Sequence, residues 1–308
     1  MAGDLYKIAV PDLVSPSYFP AEAAVELGFF EREGVRAQLL LCAPVERAYA
    51  ALREGEIDFV AGSAHSVLSA FPRWRGAKLL CAQSQGMYWF LVMRAGLGIK
   101  RGDLEAVKGR RIGAAPWVGM GLRQLLAASG IDLDRDNVVI APMPGSVGQI
   151  NFGLAAARAL EEGAIDGFWA NGMGAEIAVR SGVGSLLLDV RRDGPDEAFD
   201  YTMPALAAAD RLIAERPEVV EGAIRAIVAV QKALIANPER AAEVGRRLFP
   251  AEADLIVDLV RRDLPFYRPQ ISSRSVEGMN RFARSLGILD EEAAYEDVVA
   301  TQFSRCWD

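Results

Sequence analysis

The chain has 308 residues, 51% hydrophobic and 24% charged, with 41 acidic residues against 34 basic ones and a net charge of −7. That length predicts about two domains of ordinary size, and the acidic excess counts against nucleic acid as a partner. No run reaches the roughly 18 apolar residues that span a bilayer, and a single histidine, His65, rules out HExxH and other multi-histidine zinc sites. Residues 6–11 read as a strand, 19–27 as a helix, 35–42 as a strand, and 44–55 as a helix with Val45, Ala48, Ala51 and Leu52 on one face. A short buried strand at 58–61, a helical turn or two at 66–71 and a strand at 77–83 follow. Strands alternating with short helices predict a parallel sheet covered on both faces. After Met93 the pattern restarts: strands at 111–115, 138–142, 167–170 and 185–190 alternate with helices at 119–129, 147–163 and 172–181. From Ala209 onward the chain is helical, with segments at 210–216, 217–237, 238–248, 251–263 and 273–286, several opened by proline.

An internal echo supports two equivalent lobes. ALREGEID at 51–58 reappears as ALEEGAID at 159–166, an offset of 108 residues, and each copy ends a helix at a glycine before launching a strand. The runs YWFLVM at 88–93 and FDYTMPAL at 199–206 read as two crossings between lobes, which predicts a hinge and a ligand groove. The expected domains are 1–93 with 200–308, and 94–199. Cys42, Cys81 and Cys306 have no CxxC spacing, so neither a zinc knuckle nor a disulfide framework is indicated. The N-terminal segment lacks the basic start and apolar core of a secretory signal. The expected location is the periplasm where a signal has been removed, and otherwise the cytoplasm.

Three segments carry a family resemblance: PAEAAVELGFFEREGV at 20–35, the 51–58 element, and LEAVKGRRIG at 104–113. In their order and spacing they resemble the type II periplasmic binding proteins. In particular they are similar to the nitrate, alkanesulfonate, taurine and thiamin-pyrimidine-precursor receptors of ABC importers. The resemblance runs nearly the full length. It implies an α/β fold of two doubly wound lobes joined by a two-crossing hinge, with a helical C-terminal segment. It also implies a small-molecule ligand, an ABC permease as partner, and no cofactor or metal. The expected state is a monomer.

In open α/β sheets ligands bind beyond the carboxyl ends of the strands. The segments predicted there supply Ser15, Ser17, Tyr18, Ser63, His65, Gln83 and Ser84 from lobe one, and Trp117, Gly119, Met120, Trp169 and Asn171 from lobe two. Tyr201 stands at the return crossing and reads as hinge packing as well as a candidate contact. Aromatic faces among short hydrogen-bonding groups suit an aromatic or heterocyclic ligand. Helices expected to begin near Phe19, Ser66, Gly119 and Gly172 would favour an acid group on it. Trp117 and Trp169 are equally readable as structural aromatics, and Ser15 and Ser17 as turn or capping residues. Gly119-Met-Gly121 and Gly172-Met-Gly174 lack the third glycine of a dinucleotide fingerprint, where Gln124 and Ile177 stand.

Enzymes resemble this family too. The histidine of hydroxymethylpyrimidine-phosphate synthases matches His65 in GSAHS at 62–66, but their pyridoxal-phosphate lysine falls on Ala61 and their cysteine cluster is missing near 200–204. Aromatic sulfinate desulfinases carry a cysteine nucleophile in the loop after the first strand, where the nearest position here is Ser15. The expected function is therefore a receptor that captures its ligand unchanged. The alternative is a lyase, decarboxylase or hydrolase using His65 with Ser15 or Asp12.

Overall fold

A computed structural model describes residues 4–13, 15–142 and 152–308, and its backbone pairing builds two five-stranded sheets in two separate units. The first unit is Met1–Gly86 with Asp200–Asp308, and the second is Met87–Phe199. In the first, the strands run in the order β2 (Ala37–Leu41), β1 (Tyr6–Val10), β3 (Phe59–Ser63), β10 (Pro204–Ala209), β4 (Ala77–Ala82). In the second the order is β7 (Val139–Ala141), β6 (Arg111–Gly113), β8 (Gly167–Ala170), β5 (Phe90–Arg94), β9 (Gly184–Asp189). The two orders are the same arrangement.

Two expectations are corrected here. The sheets are mixed, not parallel: β10 runs antiparallel to both β3 and β4, and β5 antiparallel to both β8 and β9. Each is the strand entered from the other unit, so it starts at the edge where the native strands of its sheet end. For the same reason the first boundary falls at Gly86 and Met87, not after residue 93, because residues 90–94 pair with β8 and β9.

The repeated octapeptide has a structural meaning. The helix Val45–Glu54 ends at Gly55 (φ +76°), and the helix Phe152–Glu161 is followed by Gly163 (φ +69°), a left-handed conformation that glycine adopts without a Cβ clash. The aspartate that closes each copy then pins its sheet. Asp58 Oδ2 accepts from Lys7 N at 2.8 Å, and Asp166 Oδ2 accepts from Arg111 N at 2.9 Å. Lys7 and Arg111 are the matching positions of β1 and β6.

The first sheet is buried on both faces. Ile8, Val60, Leu79 and Leu206 are fully buried, and side chains of that size contribute roughly 1.5–3 kcal/mol each on burial. The helix Pro217–Ala236 buries Val220, Ile224, Ile227, Val230 and Leu234, the i, i+3, i+4 spacing of one apolar face. The C-terminal turn Thr301–Trp307 returns to β4, where Trp307 Nε1 donates to Leu80 O at 2.9 Å. In the second unit Phe90, Val92, Leu160, Ile165 and Phe168 form the core. The helix expected at 147–163 is described only from Phe152, and its first residues lie outside the described residues. The helical turn expected at 66–71 is a 3-10 turn, Ala64–Ser69. The helix expected from 119 starts instead at Pro116, with proline in its first turn. Among the described residues no helix is long and apolar enough to cross a membrane.

Gly278, on the helix Ser273–Ser285, packs directly on the return crossing: a Cβ there would lie 2.3 Å from Asp200 Cβ and 2.8 Å from its carbonyl oxygen. Gly278→Ala is therefore expected to destabilise the protein by about 1–3 kcal/mol through overpacking, read as a lower urea midpoint. An unchanged midpoint would show that this contact is not tight.

Candidate functional site

Because β10 is antiparallel to its neighbours, its first residues share a sheet edge with the last residues of β3 and β4. Pro204 pairs with Ser63 and Ala205 with Ala82. Ala64 N donates to Met203 O at 2.9 Å, and Gln83 N to Pro204 O at 2.8 Å. The loop after β1 carries Ser15, Ser17 and Tyr18. Ser15, Ser17, Tyr18, Ser63, His65, Gln83, Ser84 and Thr202 are all buried in this unit.

Their polar atoms divide into two groups. Several are committed internally. Ser17 Oγ donates to Asp263 Oδ2 at 2.7 Å. Gln83 Oε1 accepts from Ala21 N at 3.2 Å, a first-turn N–H of the helix Phe19–Glu26 that it shares with Tyr18 O at 3.0 Å. Ser63 Oγ and Ser66 Oγ share a hydrogen bond at 2.6 Å. His65 Nδ1 lies 2.9 Å from Thr202 Oγ1, and Phe282 meets the imidazole edge-to-face. Tyr267 Oη donates to Pro16 O at 2.5 Å, so it and Asp263 clamp the loop after β1 from the C-terminal helices. The other group is unsatisfied: Ser15 Oγ and both carboxyl oxygens of Glu22 are buried without a hydrogen-bond partner. No hydrogen bond joins Ser15 to His65. Tyr201, the hinge candidate, stacks on Phe282 with ring centroids 4.8 Å apart.

The second unit presents Trp117, half-buried in the first turn of the helix Pro116–Ala128, and Met120 one turn on, also half-buried. Gly119 is not at the helix start as expected. It and Gly121 are close-packing positions: a Cβ on Gly121 would fall 2.8 Å from Met87 Sδ and 2.9 Å from the Trp89 ring. Trp169 is fully buried, 6.0 Å from Trp89 between centroids, and its Nε1 donates to Val118 O at 2.9 Å. Asn171 caps the helix Gly172–Arg180, its Oδ1 accepting from Gly174 N. Among the described residues no group of three or more His, Cys, Asp or Glu is placed to hold a metal ion.

Reasoning from sequence missed Thr202, Asp263, Tyr267 and Phe282. The last three stand in C-terminal helical segments far along the chain from the loops they hold, and nothing local to them signals the contact.

Glu22 has a measurable consequence. Burial, reinforced by the negative charges of Asp12 and Glu26, pushes its carboxyl well above the usual range. In the folded chain it stays protonated at pH values where the unfolded chain has already ionised. Native protein then holds more protons, and stability falls as pH rises above the ordinary carboxylate range until the folded group itself ionises. Urea midpoints of wild type and Glu22→Gln between pH 4 and 8 should diverge in the variant's favour as pH rises, with a limiting slope of about 1.4 kcal/mol per pH unit. Parallel profiles would contradict a protonated Glu22.

A family model described as NMT1/THI5 like matches residues 15–241. The periplasmic nitrate-binding protein NrtA from Synechocystis PCC 6803 has a similar structure, with a TM-score of 0.74 at 13% identity over 98% of this chain and 87% of that one. The alkanesulfonate-binding protein SsuA from Xanthomonas axonopodis pv. citri, bound to MOPS, gives 0.71 at 13% identity over 98% of each chain. The desulfurization enzyme DszB gives 0.67 at 16% identity over 98% of each. No curated protein sequence matches. Identities this low speak for the fold alone, which is that of the periplasmic binding proteins, whereas the family model spans most of the sequence. The chain belongs to the NMT1/THI5-like family.

Proposed function

We propose that this protein is the solute-binding component of an ABC importer, capturing a small organic ligand and releasing it unaltered. The observation that carries the reading is the buried polar set at one edge of the first sheet. Ser63 and His65 from the end of β3 meet Thr202 from the start of β10 there, and the loop after β1 carries buried Ser15 with its Oγ unsatisfied and no nucleophile–base contact formed. In this reading Ser15, Tyr18, Ser63 and His65 are the candidate ligand contacts of the first unit, and Trp117 and Met120 those of the second. Ser17, Gln83, Trp169 and Asn171, whose polar groups are committed elsewhere, hold the frame.

An aromatic or heterocyclic ligand with an acid group fits these residues, and relatives named for sulfonates and nitrate support the acidic part. The protein would act as a monomer in the periplasm and hand its ligand to a membrane permease. An enzyme on the same fold is the second reading, favoured by the buried, unpartnered Ser15 hydroxyl and by the similarity to DszB. It lacks an activating base in contact with that hydroxyl, which a serine nucleophile needs.

A thermal-shift panel of aromatic carboxylates, alkanesulfonates and pyrimidines separates the two. A true ligand at a hundred times its Kd stabilises by about 2.7 kcal/mol, enough to raise Tm by several degrees. Trp117→Ala should then weaken binding about tenfold, the loss of roughly 1.4 kcal/mol of aromatic contact. No shift across the panel, together with turnover of one of its members, would favour the enzyme.

A further inference from the structure

His65 is the one histidine of the chain, and its ring is fully buried within the first unit. Phe282 and Thr202 both bear on its orientation. Phe282 approaches edge-to-face, with centroids 5.4 Å apart and planes at 76°. Thr202 Oγ1 lies 2.9 Å from Nδ1 and also accepts the backbone N–H of His65 at 3.4 Å.

The proton count at Thr202 decides what the ring carries. A threonine hydroxyl has one proton to donate and two lone pairs. The backbone N–H can only donate, so it takes a lone pair. The hydroxyl proton must go elsewhere, and Thr202 is 1% exposed, so water does not receive it. Among the described residues the acceptor in contact with this hydroxyl is Nδ1 of His65. Were Nδ1 protonated instead, it would fill the second lone pair and leave the hydroxyl proton buried with no acceptor, an arrangement folded proteins avoid.

We propose that Thr202 is a positioning residue that holds His65 in its neutral Nε2–H tautomer, making the ring a hydrogen-bond donor at Nε2. Whatever atom meets Nε2, in the protein or on a ligand, must then be an acceptor. Resting on the receptor reading, this deepens it: any ligand atom that meets Nε2 is an acceptor, a carbonyl, ring nitrogen or oxyanion oxygen. The same tautomer opposes a Ser15–His65 nucleophilic pair. In such pairs Nδ1–H donates to a carboxylate and the Nε2 lone pair faces the hydroxyl, whereas here a donor hydroxyl occupies the Nδ1 side.

Nitrogen-15 labelling of histidine reports on this one ring without ambiguity. In the unliganded full-length chain at neutral pH, two-bond proton–nitrogen correlations should show a protonated Nε2 and an acceptor-type Nδ1. Thr202→Ser should preserve that pattern. Thr202→Val, which keeps the shape and removes the hydroxyl, should move Nδ1 toward the shift of an acceptor with no hydrogen bond or release a mixture of tautomers. A wild-type ring protonated on Nδ1, on both nitrogens, or mixed between tautomers would overturn the proposal. So would a Thr202→Val spectrum identical to wild type. If the valine variant fails to fold, the wild-type and serine spectra decide. No ligand is added, so this outcome is independent of whether the receptor reading survives.

Discussion

A strand that enters a sheet from another part of the chain must run against its neighbours, and β10 does so between β3 and β4. That direction brings the residues just before β10, Thr202 and Met203, to the edge where β3 delivers Ser63 and His65 and β4 delivers Gln83. In a purely parallel sheet the start of β10 would lie at the opposite edge, and His65 would lose the hydroxyl that faces its Nδ1. The second unit repeats the device with β5 between β8 and β9. The crossings thus connect the two units and also set which residues stand at the edge where the neighbouring strands of each sheet end.

Polar groups at this edge sort by burial and partnership. A neutral hydrogen bond adds only about 0.5–1.5 kcal/mol net, while a buried group left without one costs about 1–3 kcal/mol. Ser17, Gln83 and Thr202 follow the first rule, their bonds fastening the loop after β1, the helix Phe19–Glu26 and the His65 ring. Ser15 and Glu22 break it. Glu22 lowers its cost by staying protonated. For Ser15 no such route exists, and its hydroxyl stays buried without a partner.

Much of this was legible in the residue order, because alternating apolar runs and glycine-terminated helices are local signals. The octapeptide pair revealed both units, and its two aspartates turned out to serve the same bond in each sheet. Strand direction was not legible: an all-apolar run such as Pro204–Ala209 reads alike in either orientation. The helix expected from Gly119 starts at Pro116, where proline marks the first turn, and Gly121 makes room for Trp89. Asp263, Tyr267 and Phe282 escaped notice because their roles arise only when C-terminal helices fold back onto the loops of the first sheet.

The claim on which the account stands is that ligand enters and leaves chemically intact. Mass spectrometry tests it most directly. The protein is incubated with an aromatic acid or sulfonate that raises its Tm, separated from free ligand and denatured, and the released molecule is weighed. The account predicts about one ligand per chain at its original mass, however long the incubation. A released molecule of altered mass, accumulating with time beyond one per chain, would contradict it.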